Sequence, residues 1–94
     1  MSDSSLNVDS VPRVRMEVRF RKVRGTVLVA ANDQTLELTE TAAFLFREID
    51  GVRAVSDIGA ALAREYEIPE EMAIDDTVSL IADLIADDIV ELVA

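Results

Sequence analysis

Two periodicities divide this chain. Across residues 34–46, QTLELTETAAFLF, Leu36 and Leu38 alternate with Thr35, Glu37 and Thr39. A period of two marks a half-buried strand. Beyond the junction Ala42, Leu45, Phe46 and Ile49 recur at three- and four-residue steps, the period of an amphipathic helix. Thr39 and Thr41 stand at the change of period, where a hydroxyl can accept from the free N–H groups of a new helix. Upstream, Val14, Met16, Val18 and Phe20 alternate with Arg13, Arg15, Glu17, Arg19 and Arg21. That alternation predicts one strand with a single apolar face, then a polar connection over residues 22–25 in which Gly25 takes positive φ. Thr26–Ala31 is a β-branched second strand, Asn32-Asp33 a turn, and Gln34–Leu38 the third strand. Three strands cannot close into a barrel, so the antiparallel meander leaves two edges open.

The second half reads as helices. The first is expected over about Glu40–Ile49 and ends at Asp50-Gly51, with Gly51 in a left-handed cap. The second spans about Val55–Tyr66, with an apolar stripe of Val55, Ile58, Leu62 and Tyr66; Gly59 and Ala63 permit close approach. Ile68-Pro69 breaks the chain. Pro69-Glu70-Glu71 starts the third helix, which runs to about Asp87 with room for a break near Met72. This helix carries two apolar stripes roughly 80–100° apart at 100° per residue: Ile74, Val78, Ile81 and Ile85, and Thr77, Leu80 and Leu84. One stripe suffices for a helix packed on one side of a small domain. The surplus implies a second contact, which can be an arriving partner, a wedged position between sheet and helices, or a homodimer seam. Residues 89–93 form an apolar tail that packs back on the domain. Residues 1–11 are polar and acidic and are expected to be a disordered tail before one α+β domain over residues 12–94.

Composition removes most chemistry. Among 94 residues there is no His and no Cys, so no imidazole base, thiol nucleophile, disulfide or thiolate metal site is available. The three glycines are isolated and make no phosphate loop. Asp83 and Asp87 share one helix face, but nothing matches the oxygen spacing of a calcium loop, and the carboxylates read as a solvated face. No catalytic residue, metal or cofactor is expected. The four aromatic residues Phe20, Phe44, Phe46 and Tyr66 read as core. The net charge is −10 and unevenly placed: residues 13–24 hold six cations against Glu17, and the remainder from Gly25 onward is strongly acidic. Residues 69–94 contain no cation, which argues against a DNA-reading helix and against nucleic acid as a partner. The basic stretch offsets the acidic body or attaches an acidic peptide or enzyme. No apolar run is long enough for a membrane span and the N-terminus lacks signal-peptide order, so the chain reads as cytoplasmic. What is left is a binding surface: an open sheet edge beside an over-apolar helix, the arrangement that accepts a peptide as an added strand.

Four runs carry a resemblance. Leu38-Thr39-Glu40-Thr41-Ala42, Asp50-Gly51-Val52-Arg53-Ala54-Val55, Glu65-Tyr66-Glu67-Ile68 and Asp76-Thr77-Val78-Ser79-Leu80-Ile81-Ala82-Asp83-Leu84, in register, resemble the PqqD-like family. These are the recognition elements, or peptide chaperones, of ribosomally made and post-translationally modified peptides (RiPPs). The resemblance spans about Arg13 to Val90. It implies a winged-helix-like α+β fold of three antiparallel strands followed by three helices. It also implies a non-enzymatic role: binding the leader of a precursor peptide and presenting it to a modifying enzyme, such as a radical S-adenosylmethionine protein or a leader peptidase. Carried over, the leader adds beside Gln34, Thr35, Leu36, Glu37, Leu38 and Thr39 and lies against the third helix, whose candidate contacts are Ile74, Thr77, Val78, Ile81 and Ile85. The angles between stripes give the groove to Ile74, Val78 and Ile85 and the core to Leu80 and Leu84. Three positions depart from the family pattern: Thr39 replaces the usual Asn, Ala54 the usual Thr or Ser, and Asp88 the usual Gly. The first two alter caps worth about 1 kcal/mol each. The third either lengthens the helix or puts Asp88 in the left-handed region. A structural adaptor, or a homodimer that pairs through the same edge without a peptide ligand, is the alternative function.

Overall fold

The computed structural model describes residues 6–31 and 33–93. Its main sheet has three antiparallel strands in the order β2 (Arg19–Val23), β3 (Thr26–Ala31) and β4 (Gln34–Leu38). A short strand β1 (Pro12–Val14) precedes them and pairs instead with β5 (Val90–Leu92), making a second, two-stranded sheet. Between β4 and β5 lie α1 (Glu40–Glu48), α2 (Val55–Tyr66) and α3 (Glu70–Ala86).

The β2–β3 hairpin follows from its loop. Val23 pairs with Thr26, leaving Arg24 and Gly25 as the two-residue connection, with φ of 52° and 83°. Positive φ at both central positions is what the twist of a tight hairpin requires, and glycine supplies one of them without steric penalty. The connection is therefore two residues long rather than the four expected, and Lys22 and Val23 belong to the strand. In the second loop Asp33 has φ of 65°; Asn32 lies outside the described residues.

The first strand departs from the sequence pattern. The alternation from Val14 to Phe20 predicts one strand, but the chain turns between β1 and β2, where the Val18 N–H donates to the Arg15 carbonyl at 3.2 Å. Met16 is 98% exposed, and the Phe20 ring is 65% exposed, edge-on to Phe46 at 5.7 Å between centroids. Alternation reports which side residues face, not whether one partner strand serves the whole run. Here β1 finds its partner at the far end of the chain: the expected apolar tail is β5, and the Arg15 N–H donates to the Ile89 carbonyl at 2.9 Å. Of the four aromatics expected in the core, Phe46 is buried, Phe44 and Tyr66 are half-buried and stacked edge to face, and Phe20 is at the surface.

The helices occupy the expected spans, and their ends have identifiable causes. The Thr39 hydroxyl caps α1 by accepting from the Ala42 N–H at 3.1 Å. After α1, the Asp50 carboxylate accepts from the N–H groups of Val52 and Arg53 at 2.9 and 2.8 Å, and these bonds hold its pKa below the usual carboxylate range. Ala54 has no side-chain oxygen to cap α2. Three groups replace it: the Asp57 carboxylate accepts from the Ala54 N–H, the Ser10 carbonyl from Val55, and the Val8 carbonyl from Ser56. Residues 1–5 of the expected tail lie outside the described residues, whereas residues 6–11 include these two carbonyls and Leu6, which packs against the core. α3 is continuous through Met72 and ends before Asp87; Asp88 is left-handed with φ of 60°.

The core joins Val27 and Val29 of β3, Leu38 of β4, Leu45 and Phe46 of α1, Ile58 and Leu62 of α2, and Ile81 and Leu84 of α3. α2 and α3 make the most extensive helix–helix contact. A Cβ added at Gly59 would stand 2.6 Å from Ile74 Cγ1 and 2.9 Å from Ile74 Cα. Only glycine lets the two backbones approach this closely. α2 closes on Glu67 in the left-handed region, φ 54°, where glycine is the usual residue. Glu67→Gly is therefore expected to raise stability by about 1 kcal/mol, since relief of left-handed strain outweighs the added freedom of the unfolded chain. A urea midpoint at or below that of the native chain would contradict this.

Candidate functional site

The sheet order leaves β4 paired on one side only; among the described residues no other strand meets its outer edge. The register says which groups face outward. Ala31 and Gln34 flank a two-residue loop and so form a hydrogen-bonded pair, and such pairs alternate along an antiparallel ladder. Val29↔Leu36 and Val27↔Leu38 are then the other bonded pairs, and the N–H and C=O groups of Thr35 and Glu37 point to the open edge. The β2–β3 hairpin gives the same parity independently: with Val23↔Thr26 bonded, Thr26, Leu28 and Ala30 bond β2, leaving Val27, Val29 and Ala31 for β4.

Beside this edge runs a cleft of about 400 Å³. One wall is Leu36, Glu37, Leu38 and Thr39 of the strand end, with Ala42 of α1; the other is Leu80, Asp83, Leu84, Ala86 and Asp87 of α3 and its cap. The apolar floor comes from the leucines and alanines. The ionisable groups lining it, Glu37, Asp83 and Asp87, are all acidic. The opposite edge differs in kind: β2 carries Arg19, Arg21 and Lys22, with Arg24 in its loop, all exposed. Cations on an edge strand discourage pairing with strands that carry no compensating acids. β4 has no such guard.

The candidate residues separate once placed. Gln34, Thr35 and Glu37 are exposed on the edge strand, Leu36 is half-buried at the cleft, and Leu38 is buried in the core. Thr39 uses its hydroxyl to cap α1. On α3 the expected division of stripes holds only in part: Leu84 is in the core as expected, but the cleft beside β4 is lined by Leu80 and Leu84 and not by Ile74, Val78 or Ile85. Ile74 packs against Gly59 of α2 and does not line the cleft. Thr77 is fully buried and donates its hydroxyl proton to the Ala73 carbonyl at 2.8 Å, and Ile81 is fully buried. Val78 and Ile85 are half-buried outside the cleft lining. Leu80 and Leu84, assigned to the core, are the leucines that wall the cleft, although Leu84 also reaches the core. The close Gly59–Ile74 approach is consistent with this rotation of α3, which also buries Ala73, Thr77, Ile81 and Leu84. That glycine, placed mid-stripe in α2, is the signal in the sequence that would have turned Ile74 toward α2 and Leu80 toward the strand.

Among the described residues there is no group of three or more His, Cys, Asp or Glu side chains arranged to hold a metal ion. No helix among them is long and apolar enough to cross a membrane.

Residues 25–90 match the family described as coenzyme PQQ synthesis protein D (PqqD). The chain belongs to the PqqD family. Its fold is shared with solved structures. The solution NMR structure of the PqqD truncation of Methylobacterium extorquens PqqCD, described as a functional, stand-alone RiPP recognition element, superposes with a TM-score of 0.80 at 24% identity, over 94% of this chain and 96% of that one. Lasso peptide synthetase B1, solved in complex with the leader peptide, superposes with a TM-score of 0.76 at 19% identity, over 86% of this chain and 98% of that one. A comparison with curated proteins finds no match. In this PqqD-family chain the matched span begins at Gly25, so it contains β3, β4 and all three helices, the elements that build the cleft.

Proposed function

We propose that this chain binds the leader region of a ribosomally made precursor peptide and presents it to a modifying enzyme. The leader adds as a strand along β4, its alternate side chains entering the cleft against Leu80 and Leu84. The observation that carries this reading is the unguarded β4 edge, with Thr35 and Glu37 backbone groups turned outward beside an apolar cleft. Main-chain pairing gives affinity with little demand on sequence, and the cleft selects side chains. Membership of the PqqD family and the leader-bound state of a protein of the same fold support the reading. The role is non-catalytic: with no His or Cys, the chain offers few groups to perform peptide chemistry, and the enzyme supplies the reaction. A radical S-adenosylmethionine protein and a leader peptidase are both partners of the proposed kind.

The test is a titration of the isotopically labelled chain with the leader of a short precursor encoded beside it. Amides of residues 34–39 and 80–87 are expected to shift, and those of Ile74 and Val78 much less. Shifts confined to residues 13–24 would remove β4 from the site. A dimer that persists at low concentration and is unchanged by leader would instead make self-association the role of this edge.

A further inference from the structure

The other edge of the sheet is equally distinctive. Three large apolar side chains stand in solvent within one short stretch, Met16 at 98%, Phe20 at 65% and Val23 at 40% exposure. They are interleaved with Arg19, Arg21, Lys22 and Arg24, none of which makes an ion pair among the described residues. Exposed aromatic, Met and Arg side chains together are the composition of an interface centre rather than of ordinary surface. Under Phe20 lies an apolar cleft of about 560 Å³, floored by Val27, Phe46 and Ile49 and rimmed by Lys22 and Arg47. The hairpin parity that turns Thr35 and Glu37 outward on β4 also turns the backbone groups of Phe20 and Lys22 outward on β2.

We infer that β2 and the cleft under Phe20 form a second docking surface, for an extended acidic segment of a partner protein with apolar residues at alternate positions. The charge selects the occupant. Four cations concentrated on a chain of net charge −10 complement an acidic segment, and the same cations reject a neutral strand or a β2 edge from a second copy, where arginine would face arginine. The acidic body disfavours a polyphosphate backbone. The apolar residues of the segment fill the cleft while its carboxylates meet Arg19 and Arg21 on the sheet's other face. β3 separates this edge from β4 by about 10 Å, so both edges can be filled at once. This inference does not depend on what occupies β4.

The experiment selects binders from a library of random peptides about ten residues long, one strand's worth, against the full chain. Enriched peptides are then titrated against the native chain, Phe20→Glu, Arg21→Glu and, as a control at an exposed residue that lines neither cleft, Val52→Glu. We expect a class of acidic peptides with alternating apolar residues that shifts amides of residues 19–23 and 46–49. Its affinity is expected to fall at least about tenfold in Phe20→Glu and Arg21→Glu, to hold in Val52→Glu, and to weaken as salt rises. Phe20 and Arg21 are exposed, so both variants should keep the native amide spectrum; if Phe20→Glu does not, Arg21→Glu decides. The inference is overturned if no selected peptide depends on Phe20 or Arg21, or if those that do carry no excess of acid. It is equally overturned if the patch instead binds random duplex DNA, or if both substitutions only abolish self-association.

Discussion

Gly59→Val is expected to destabilise this chain by about 3 kcal/mol or more, a large share of what a domain of this size possesses. The decision lies between two opposed effects. A side chain at position 59 improves helix propensity, which for alanine is worth about 1 kcal/mol. Against that, the new Cβ would lie 2.6 Å from Ile74 Cγ1, 2.9 Å from its Cα and 3.2 Å from its backbone nitrogen. Ile74 Cγ1 can rotate away, but the Cα and nitrogen move only with the whole of α3. Displacing α3 loosens the packing of Ala73, Thr77 and Ile81, all fully buried. Gly59→Ala should fall between the native chain and the valine variant. Urea unfolding followed by far-ultraviolet dichroism measures both, and equal midpoints for all three chains would refute the tight crossing.

Thr35→Pro is expected to weaken leader binding by about tenfold to a hundredfold while leaving the fold intact. The reasoning is positional. The Thr35 N–H points away from β3, so proline there removes no bond of the ladder and is tolerated as on other edge strands. It does remove a donor to the guest and puts a ring where the guest backbone must approach, which costs more than the roughly 1 kcal/mol of one hydrogen bond. Leu36→Pro is the informative contrast, because Leu36 bonds β3 and its replacement should damage the sheet itself. Calorimetric titration of both variants, with unfolding midpoints measured alongside, separates the two effects. Undiminished affinity in a folded Thr35→Pro chain would mean that the peptide does not pair with this edge.

The elements of β3, β4 and the three helices were legible because each is a local pattern bounded by its own punctuation: Gly25, Asn32-Asp33, Asp50-Gly51 and Pro69. Thr39 announced its cap at the change of period. What was not legible depended on partners distant in sequence. The alternation from Val14 to Phe20 conceals a change of sheet, because β1 pairs with residues near the other end of the chain. The cap of α2 could not be read at Ala54 because two of its acceptors are backbone carbonyls, which every residue has. Of the candidate site, the open edge followed from counting strands, but which face of α3 lines the cleft beside β4 did not, because two apolar stripes permitted either answer.

The β1–β5 pair also has a temporal consequence. Arg13 meets Glu91 at 2.7 Å, 78 residues apart, whereas both hairpins join neighbours in sequence. Ring closure of that length is entropically slow relative to hairpins, which form in microseconds. The two hairpins of the main sheet can therefore form before the ends of the domain are joined. The small sheet that fastens residues 12–14 can follow only after residue 92 has been added.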